Sequence, residues 1–140
     1  MEKQLDFDLQ SAQVEQLRTA ALDVRLRAYA PYSQFLVGAA ILDRSGRIIC
    51  GANVENASYG LTICAERVAA CAAVTSGYQA WEAIAIASRG GVTPCGACRQ
   101  FLNEFAPKLA ILLIDADTRL VTCRTSLEIL LPGAFELLKD

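Results

Sequence analysis

The sequence predicts an α/β domain in which helices are layered against a mixed β-sheet. Two observations support this class: a β-hairpin pattern lies in the first half of the chain, and helical segments alternate with strand segments after it. The chain has 140 residues, which is about the size of one domain with a single core. We therefore expect one domain spanning residues 1–140.

The first predicted elements are an amphipathic helix and the hairpin. Apolar residues recur at three- and four-residue spacing over residues 12–28, and arginines occupy the rest of the helical wheel. This helix stops before Pro31. Residues 35–43 and 48–54 are apolar and rich in strand formers, and the sequence Arg44-Ser45-Gly46-Arg47 forms the turn between them.

The second half of the chain contains the alternating helices and strands. Residues 65–75 form a helix of mostly small apolar residues that Gly77 ends, so we expect this helix to be buried on most sides. The remaining predicted elements are a strand over 82–88, a helix over 96–105, a strand over 109–115, a candidate fifth strand over 120–123 and a short helix over 126–131.

Charge and hydropathy exclude several classes of protein. The chain has 13 basic and 15 acidic residues, and no run of Lys or Arg indicates a nucleic-acid surface. No apolar stretch reaches the ~18–20 residues of a membrane span, and the polar start at residues 1–4 does not resemble a signal peptide. A cytoplasmic protein is expected. The apolar fraction of 54% indicates that part of the surface meets another subunit.

Six cysteines and no histidine limit the possible chemistry. In a reducing cytoplasm, cysteines serve as thiols or metal ligands rather than as disulfides. A zinc site in this chain must therefore use Cys or carboxylate ligands. Cys50, Cys71 and Cys123 lie in apolar segments, and we expect them to be small buried residues without a functional role.

The other three cysteines form a pattern with a nearby glutamate, in the segments Cys64-Ala65-Glu66-Arg67 and Pro94-Cys95-Gly96-Ala97-Cys98. Each segment opens a predicted helix, where the helix dipole and free N–H groups favour thiolate. Cys95 and Cys98 can bind one ion from a single turn, with Cys64 as third ligand if the helix starts are adjacent. Three ligands leave a fourth tetrahedral position for water, which is typical of catalytic zinc.

Glu66 lies two residues from Cys64. It is too close to be an obvious fourth ligand, but it can reach a water molecule on the metal and move its proton. A Cys-x-x-Cys pair alone is weak evidence, because redox motifs and structural zinc sites also contain it. Together with an upstream Cys-x-Glu it matches the signature of zinc-dependent deaminases, in which the glutamate is an acid and base rather than a ligand.

From residue 30 to residue 135 the chain resembles the small homotetrameric cytidine deaminases. The resemblance rests on Tyr32-Ser33-x-Phe35-x-Val37-Gly38-Ala39-Ala40, on Asn53-x-Glu55-Asn56 and on the two cysteine segments. It implies a three-layer α/β/α sandwich with a five-stranded mixed sheet. It further implies a homotetramer that hydrolyses cytidine and 2′-deoxycytidine to uridine and 2′-deoxyuridine plus ammonia, in pyrimidine salvage.

The same resemblance implies a role for particular residues. Cys64, Cys95 and Cys98 would hold one Zn²⁺ per subunit, and Glu66 would shuttle protons while zinc-activated water attacks C4 of cytosine. The implied substrate contacts are Phe35 against the base, Asn53 and Glu55 to the ribose hydroxyls, the backbone of Ala65 to the base carbonyl, and Phe135 in a neighbouring subunit's pocket.

Arg67 is a further hypothesis. A site made of Zn²⁺ and three thiolates carries a net charge of −1. Its metal is therefore a weaker Lewis acid than a zinc ion with a neutral imidazole among its ligands. The guanidinium of Arg67, next to Glu66, could hydrogen-bond the thiolates and withdraw that charge.

Three other functions remain open at this level. The chain could be a deaminase of the same fold that acts on another aminopyrimidine nucleoside, of the blasticidin type, or on a nucleotide. It could edit polynucleotides, although it has no basic surface for them. It could also carry a structural zinc, in which case Glu66→Ala would change nothing measurable.

Overall fold

The computed structural model describes residues 8–139. Residues 1–7 and Asp140, which belong to the predicted domain of residues 1–140, lie outside this part, and the single domain stays a prediction. The helices are α1 (Ser11–Arg25), α2 (Ala65–Thr75), α3 (Gly96–Asn103) and α4 (Leu127–Leu130), with a 3₁₀ turn at Tyr59–Leu61. The strands are β1 (Gly38–Asp43), β2 (Ile48–Ala52), β3 (Trp81–Ser88), β4 (Ala110–Asp115) and β5 (Val121–Ser126).

The strands form one five-stranded mixed sheet in the order β2-β1-β3-β4-β5. The pair β3 and β4 is parallel, and the other neighbouring pairs are antiparallel. The parallel pair is joined by a crossover that contains α3, as parallel strands require. The mixed five-stranded sheet that the resemblance predicted is confirmed.

Alternation along the strands gives the sheet two apolar faces. Ile84 and Ile86 of β3 pack with α2 and α3, whereas Ala83 and Ala85 of the same strand pack with α1. The first core includes Ala69, Ala73 and Leu102 from the helices, and the second includes Val14, Leu17 and Ala21. Helices thus cover both faces of the sheet, which confirms the predicted three-layer α/β/α sandwich.

Two strand glycines allow the helices to approach the sheet closely. A Cβ on Gly38 would lie 2.1 Å from the carbonyl oxygen of Ala21 in α1, and one on Gly51 would lie 2.4 Å from the backbone nitrogen of Ala69 in α2. Any side chain at these positions would push the helix away. Gly51 therefore sets the position of α2, whose start carries Cys64 and Glu66.

The first helix and the hairpin are shorter than predicted. Helix α1 ends at Arg25 rather than at residue 28, because the N–H of Tyr29 donates to the carbonyl of Asn53 beside the sheet. Strand β1 begins at Gly38 rather than at residue 35. The side chain of Asn53 accepts from the N–H of Val37 and donates to the carbonyl of Phe35, which takes these residues out of the strand ladder.

The later elements differ from the predictions mainly at their ends. Helix α2 has the predicted bounds of residues 65–75, whereas β5 continues to Ser126 instead of ending at residue 123. Its last residue pairs with Ala110 of β4, and Thr125 and Ser126 are buried. Apolar patterning cannot find this segment, because the paired residues are polar.

The expectation that the three remaining cysteines are buried is wrong for Cys71. Cys71 lies on the outer face of α2 and is exposed, while Cys50 and Cys123 are half-buried in strands. Helix α2 is covered by the sheet on one side only, so its apolar outer face stays open in the single chain. Across residues 8–139, no helix combines the length and hydropathy that membrane crossing requires.

Candidate metal centre and substrate pocket

Helices α2 and α3 begin at the same end of the sheet. Strands β2 and β3 both run antiparallel to β1, so their carboxyl ends point the same way, and the chain leaves each toward one of these helices. Cys64 is the residue that precedes α2, and Cys95 is the residue that precedes α3. Cys98 follows in the first turn of α3, so the topology brings the three predicted ligands together.

The three sulfur atoms lie within 4.8 Å of one another, and the Sγ atoms of Cys64 and Cys95 are 4.0 Å apart. Tetrahedral zinc with Zn–S bonds of ~2.3 Å requires sulfurs about 3.8 Å apart. The separation of Cys64 and Cys95 is within a few tenths of an ångström of this value, and no pair of sulfurs needs to move closer by more than about 1 Å to hold one zinc ion. Cys98 is fully buried, Cys64 is half-buried and Cys95 is exposed, which leaves one side open for a water molecule.

The surroundings favour thiolate at Cys64. A hydrogen bond from the Cys98 thiol, followed by the nearby guanidinium of Arg67, lowers the pKa of Cys64 to about 5. The same hydrogen bond, together with burial, raises the pKa of Cys98. Thiolate is the form of cysteine that binds a metal, so the lowered pKa suits Cys64 to act as a ligand.

Glu66 is buried beside these sulfurs, with only 5% of its surface exposed. Burial raises the pKa of its carboxyl, and the negative charge of Cys64 acts in the same direction. The carboxyl therefore lies beside the three cysteine sulfurs, and its raised pKa suits it to take up and release a proton.

Arg67 faces the cluster from the first turn of α2. Its Nη2 donates to the Sγ of Cys64 at 3.5 Å, and the two sulfurs of Cys64 and Cys98 raise its pKa further. Its Nε is buried and has no hydrogen-bond acceptor among the described residues. The guanidinium thus contacts one of the three sulfurs, and its charge-withdrawing role stays a prediction.

A pocket of about 270 Å³ opens beside the cluster. This volume is near the lower limit for small-molecule sites. The pocket brings together the expected residues Phe35, Asn53, Glu55, Ala65 and Glu66 with the ligands Cys64 and Cys95. The rest of the lining is Ser33, Val37, Thr62, Ile86, Val92 and Thr93, so no Lys or Arg lines the pocket within residues 8–139.

Asn53 lies just beyond β2, which ends at Ala52 rather than at residue 54 as predicted, and Glu55 follows two residues later. The side chain of Asn53 uses its oxygen and one N–H on the backbone of Val37 and Phe35, so one N–H remains for a ligand. Glu55 accepts hydrogen bonds from Ser33 and Tyr32, and these bonds lower the pKa of its carboxyl, with the Ser33 hydroxyl as the largest cause.

Phe135 is the expected site residue that the single chain does not bring to the pocket. Its ring is 70% exposed, and its carbonyl accepts a hydrogen bond from Nε2 of Gln100. It borders a separate hollow of about 310 Å³ formed with the tail residues and the end of α3. Its place in a neighbouring subunit's pocket stays a prediction.

Sequence reasoning assigned no role to several residues around the site. Thr62, Val92 and Thr93 lie in loops, where no periodic pattern marks them. Tyr32 and Tyr59 pack edge to face with ring centroids 5.9 Å apart and border an adjacent hollow of about 320 Å³. Ser33 belongs to the motif that carried the resemblance, and that motif is the signal that could have singled it out.

Arg99 connects the loop before α3, which carries Cys95, to the end of α4. Its guanidinium donates to the carbonyls of Pro94 at 2.7 Å and Leu130 at 2.8 Å. A third bond, at 3.3 Å, reaches the hydroxyl of Thr93. These bonds fix the backbone directly before Cys95.

The fold and the site together define the zinc-dependent deaminase class, and comparison with known proteins agrees. Residues 11–114 match the family model described as "Cytidine and deoxycytidylate deaminase zinc-binding region". This match and the Cys64, Cys95 and Cys98 cluster support zinc as the cofactor.

Curated relatives and solved structures identify the family more narrowly. A "Probable cytidine deaminase" of Dictyostelium discoideum is 44% identical over 88% of this chain and 84% of its own, and a "Cytidine deaminase" of Halalkalibacterium halodurans is 46% identical over 82% and 88%. The crystal structure of cytidine deaminase from Burkholderia pseudomallei superimposes with a TM-score of 0.79 at 44% identity, covering 86% of this chain and 98% of that one. The chain belongs to the cytidine deaminase family, as the resemblance predicted, and it is an enzyme.

Proposed function

We propose that this protein hydrolyses cytidine and 2′-deoxycytidine to uridine and 2′-deoxyuridine, with release of ammonia. The observation that carries the proposal is the shared lining of one pocket, in which Glu66 and the sulfurs of Cys64 and Cys95 lie with the aromatic ring of Phe35. The names of the curated relatives support the substrate. Recovery of uridine from cytidine places the enzyme in pyrimidine salvage.

Cys64, Cys95 and Cys98 would hold one Zn²⁺ per chain, which supplies Lewis-acid activation of water. Glu66 accepts a proton from the attacking water and delivers it to N3 of the cytosine ring. It then takes the proton of the new C4 hydroxyl, which becomes the carbonyl of uridine, and delivers it to the amino group. The C4–O bond forms and the C4–N bond breaks, so one water is consumed and one ammonia leaves.

The pocket residues orient the nucleoside for this transfer. Phe35 provides an aromatic face for the base, where stacking is worth ~1–3 kcal/mol. The N–H of Ala65, in the first turn of α2, has no partner within its helix and is available to the base carbonyl. Glu55 accepts a hydrogen bond from the ribose hydroxyls, and the remaining N–H of Asn53 donates one to them.

The lining favours a nucleoside over a nucleotide. A 5′-phosphate carries about two negative charges, and the described pocket offers two carboxyl groups and no cation. Burying an unpaired phosphate beside Glu55 and Glu66 would be costly.

We further propose a homotetramer in the cytoplasm. Exposed apolar side chains are numerous for a single chain and include Tyr29, Val54, Leu61 and Ile63 around the short bridges that flank β2. In an assembly, Phe135 would enter a neighbouring subunit's pocket. The reducing cytoplasm keeps the cysteine ligands as thiols.

Product analysis tests the proposed reaction. Zinc-loaded protein and Glu66→Gln are incubated separately with cytidine, 2′-deoxycytidine and cytidine 5′-monophosphate, and uridine products, ammonia and bound zinc are measured. We expect turnover of both nucleosides, little turnover of the monophosphate, and at least a 100-fold loss in Glu66→Gln with zinc retained. Deamination of another aminopyrimidine nucleoside but not of cytidine would contradict the substrate, and a structural zinc protein would show no turnover at all.

A further inference from the structure

Ser33 lies in the pocket lining, in the loop between α1 and β1, and its hydroxyl makes two contacts. The Oγ donates a hydrogen bond to Oε2 of Glu55. The same Oγ accepts from the N–H of Phe35 at 3.0 Å. One side chain therefore joins the residue assigned to the sugar and the residue assigned to the base.

The backbone of the same loop holds the other oxygen of Glu55. The N–H groups of Tyr32 and Ser33 donate to Oε1 at 3.0 and 3.1 Å. A carboxylate oxygen has two lone-pair sites, so Oε1 has no site left for a substrate. Oε2 accepts one hydrogen bond, from Ser33, and keeps one site free.

We propose that Ser33 is a positioning residue that aims the free lone pair of Glu55 Oε2 at a ribose hydroxyl and so sets the preference for the sugar. The proposal rests on the proposed function, which assigns Glu55 to the ribose. With the serine bond in place, rotation of the carboxylate would break three hydrogen bonds at once. Without it, only the two backbone hydrogen bonds to Oε1 hold the carboxylate, so Oε2 can turn toward water and the substrate hydroxyl loses an oriented acceptor.

The geometry separates this role from a purely structural one. If Ser33 only stabilised the loop, its removal would displace Phe35 as well and would lower kcat/KM for all cytosine nucleosides by the same factor. If it positions Oε2, the loss depends on whether the substrate has the hydroxyl that Oε2 receives. The comparison therefore needs variants of both the protein and the sugar.

The test measures kcat/KM for cytidine, 2′-deoxycytidine, 3′-deoxycytidine and 2′,3′-dideoxycytidine with the wild type, Ser33→Ala and Ser33→Thr. We expect Ser33→Ala to lose about tenfold with cytidine, the order expected for a hydrogen bond to a charged group, and less than twofold with the dideoxynucleoside. The single deoxynucleosides identify which hydroxyl is involved. Ser33→Thr keeps the hydroxyl at an exposed position and should restore the selectivity.

Two further variants keep the test decisive. Ser58→Ala is the matched control, because Ser58 is an exposed loop serine whose side chain does not cap the 3₁₀ turn that follows it. If Ser33→Ala fails to fold by circular dichroism, Ser33→Cys fills the same space with a weaker donor and should show the same selective loss. An equal loss with all four nucleosides would overturn the Ser33 assignment alone, whereas a folded wild type that leaves cytidine unchanged would overturn the proposed function and this inference with it.

Discussion

Arg67 lies against one of the three cysteine sulfurs, because its Nη2 donates a hydrogen bond to the Sγ of Cys64. A metal held by three thiolates is electron-rich, so any group that draws charge from the sulfurs makes the metal a better Lewis acid. In the proposed mechanism Glu66 receives the proton of the activated water and therefore depends on that property. The proposal thus assigns the chemistry to Cys64, Cys95, Cys98 and Glu66, and gives the guanidinium of Arg67 a supporting role.

Replacing Arg67 with Gln tests this arrangement. The variant should retain zinc but lower kcat with cytidine by about tenfold, the lower limit for a residue that hydrogen-bonds a metal ligand. Steady-state kinetics and the zinc content of the purified protein give the two values. Arg27→Gln, at an exposed position on the loop after α1, should behave as the wild type. An unchanged kcat in Arg67→Gln would remove Arg67 from the mechanism.

Local spacing predicts some of these residues better than others. Cys64 and Glu66, or Cys95 and Cys98, are close in sequence, so their joint action can be inferred before any fold is known. The pairing of Asn53 with the backbone of Phe35 and Val37 crosses from one strand to the loop before its neighbour. Nothing in the composition of either segment indicates that the amide is already engaged, because that depends on the register of the hairpin.

At the scale of the elements, the site depends on where two helices begin. Helix α2 is held by its close approach to Gly51, and the loop before α3 is held by Arg99. The continuous run of small residues predicted the bounds of α2, residues 65–75, but not its open outer face, where Cys71 is exposed. The ends of β1 and β5 could not be predicted, since a side-chain contact shortens β1 and polar pairing extends β5.

Gly51→Ala should destabilise the protein by moving α2. The added methyl group would lie 2.4 Å from the Ala69 nitrogen, and such overpacking costs about 1–3 kcal/mol, or roughly 3–12 °C in Tm. The melting temperature is measured at fixed zinc and protein concentrations. Gly60→Ala is the control, because nothing lies within 4 Å of a Cβ there. Equal melting temperatures for the two variants would show that α2 has room to move.

Arg99→Ala should loosen the ligand loop without removing a ligand. We expect zinc to pass to a chelator about tenfold faster, because three hydrogen bonds that fix residues 93 and 94 and the end of α4 are lost. A colorimetric chelator follows the release. Arg89→Ala removes only a long ion pair of 3.8 Å between exposed side chains and should release zinc at the wild-type rate. Identical release rates in both variants would contradict the proposal that the hydrogen bonds of Arg99 hold the loop before α3.

At the scale of the whole molecule, alternating helices and strands were enough to predict the layers, because the order of elements restricts how a sheet can be covered. The assembly of several chains cannot be predicted in this way. Tyr59, Leu61 and Phe135 are 75%, 65% and 70% exposed, yet no pattern in one chain states which surface of a second chain would cover them. The homotetramer therefore rests on the resemblance and on this open apolar surface.

Native mass spectrometry of the zinc-loaded protein should show four chains. In the tetramer, Phe135→Ala should raise KM for cytidine severalfold, because the ring would no longer reach the neighbouring pocket. Leu138→Ala, at a tail position that is 95% exposed, provides a control for general effects on the tail. A monomer at working concentration, or an unchanged KM in Phe135→Ala, would contradict this view of the C-terminal segment.

The most direct test of the account is the ultraviolet absorbance of cytidine during zinc titration of chelator-treated protein. We predict that the chelated protein is inactive, that conversion to uridine returns as zinc is added, and that the rate reaches its plateau at one zinc per chain. The same titration of Glu66→Gln should bind zinc and leave cytidine unchanged. Full activity in protein shown to lack metal, or no conversion by folded protein with one zinc per chain, would contradict the assignment of the three cysteines and Glu66 to cytidine deamination.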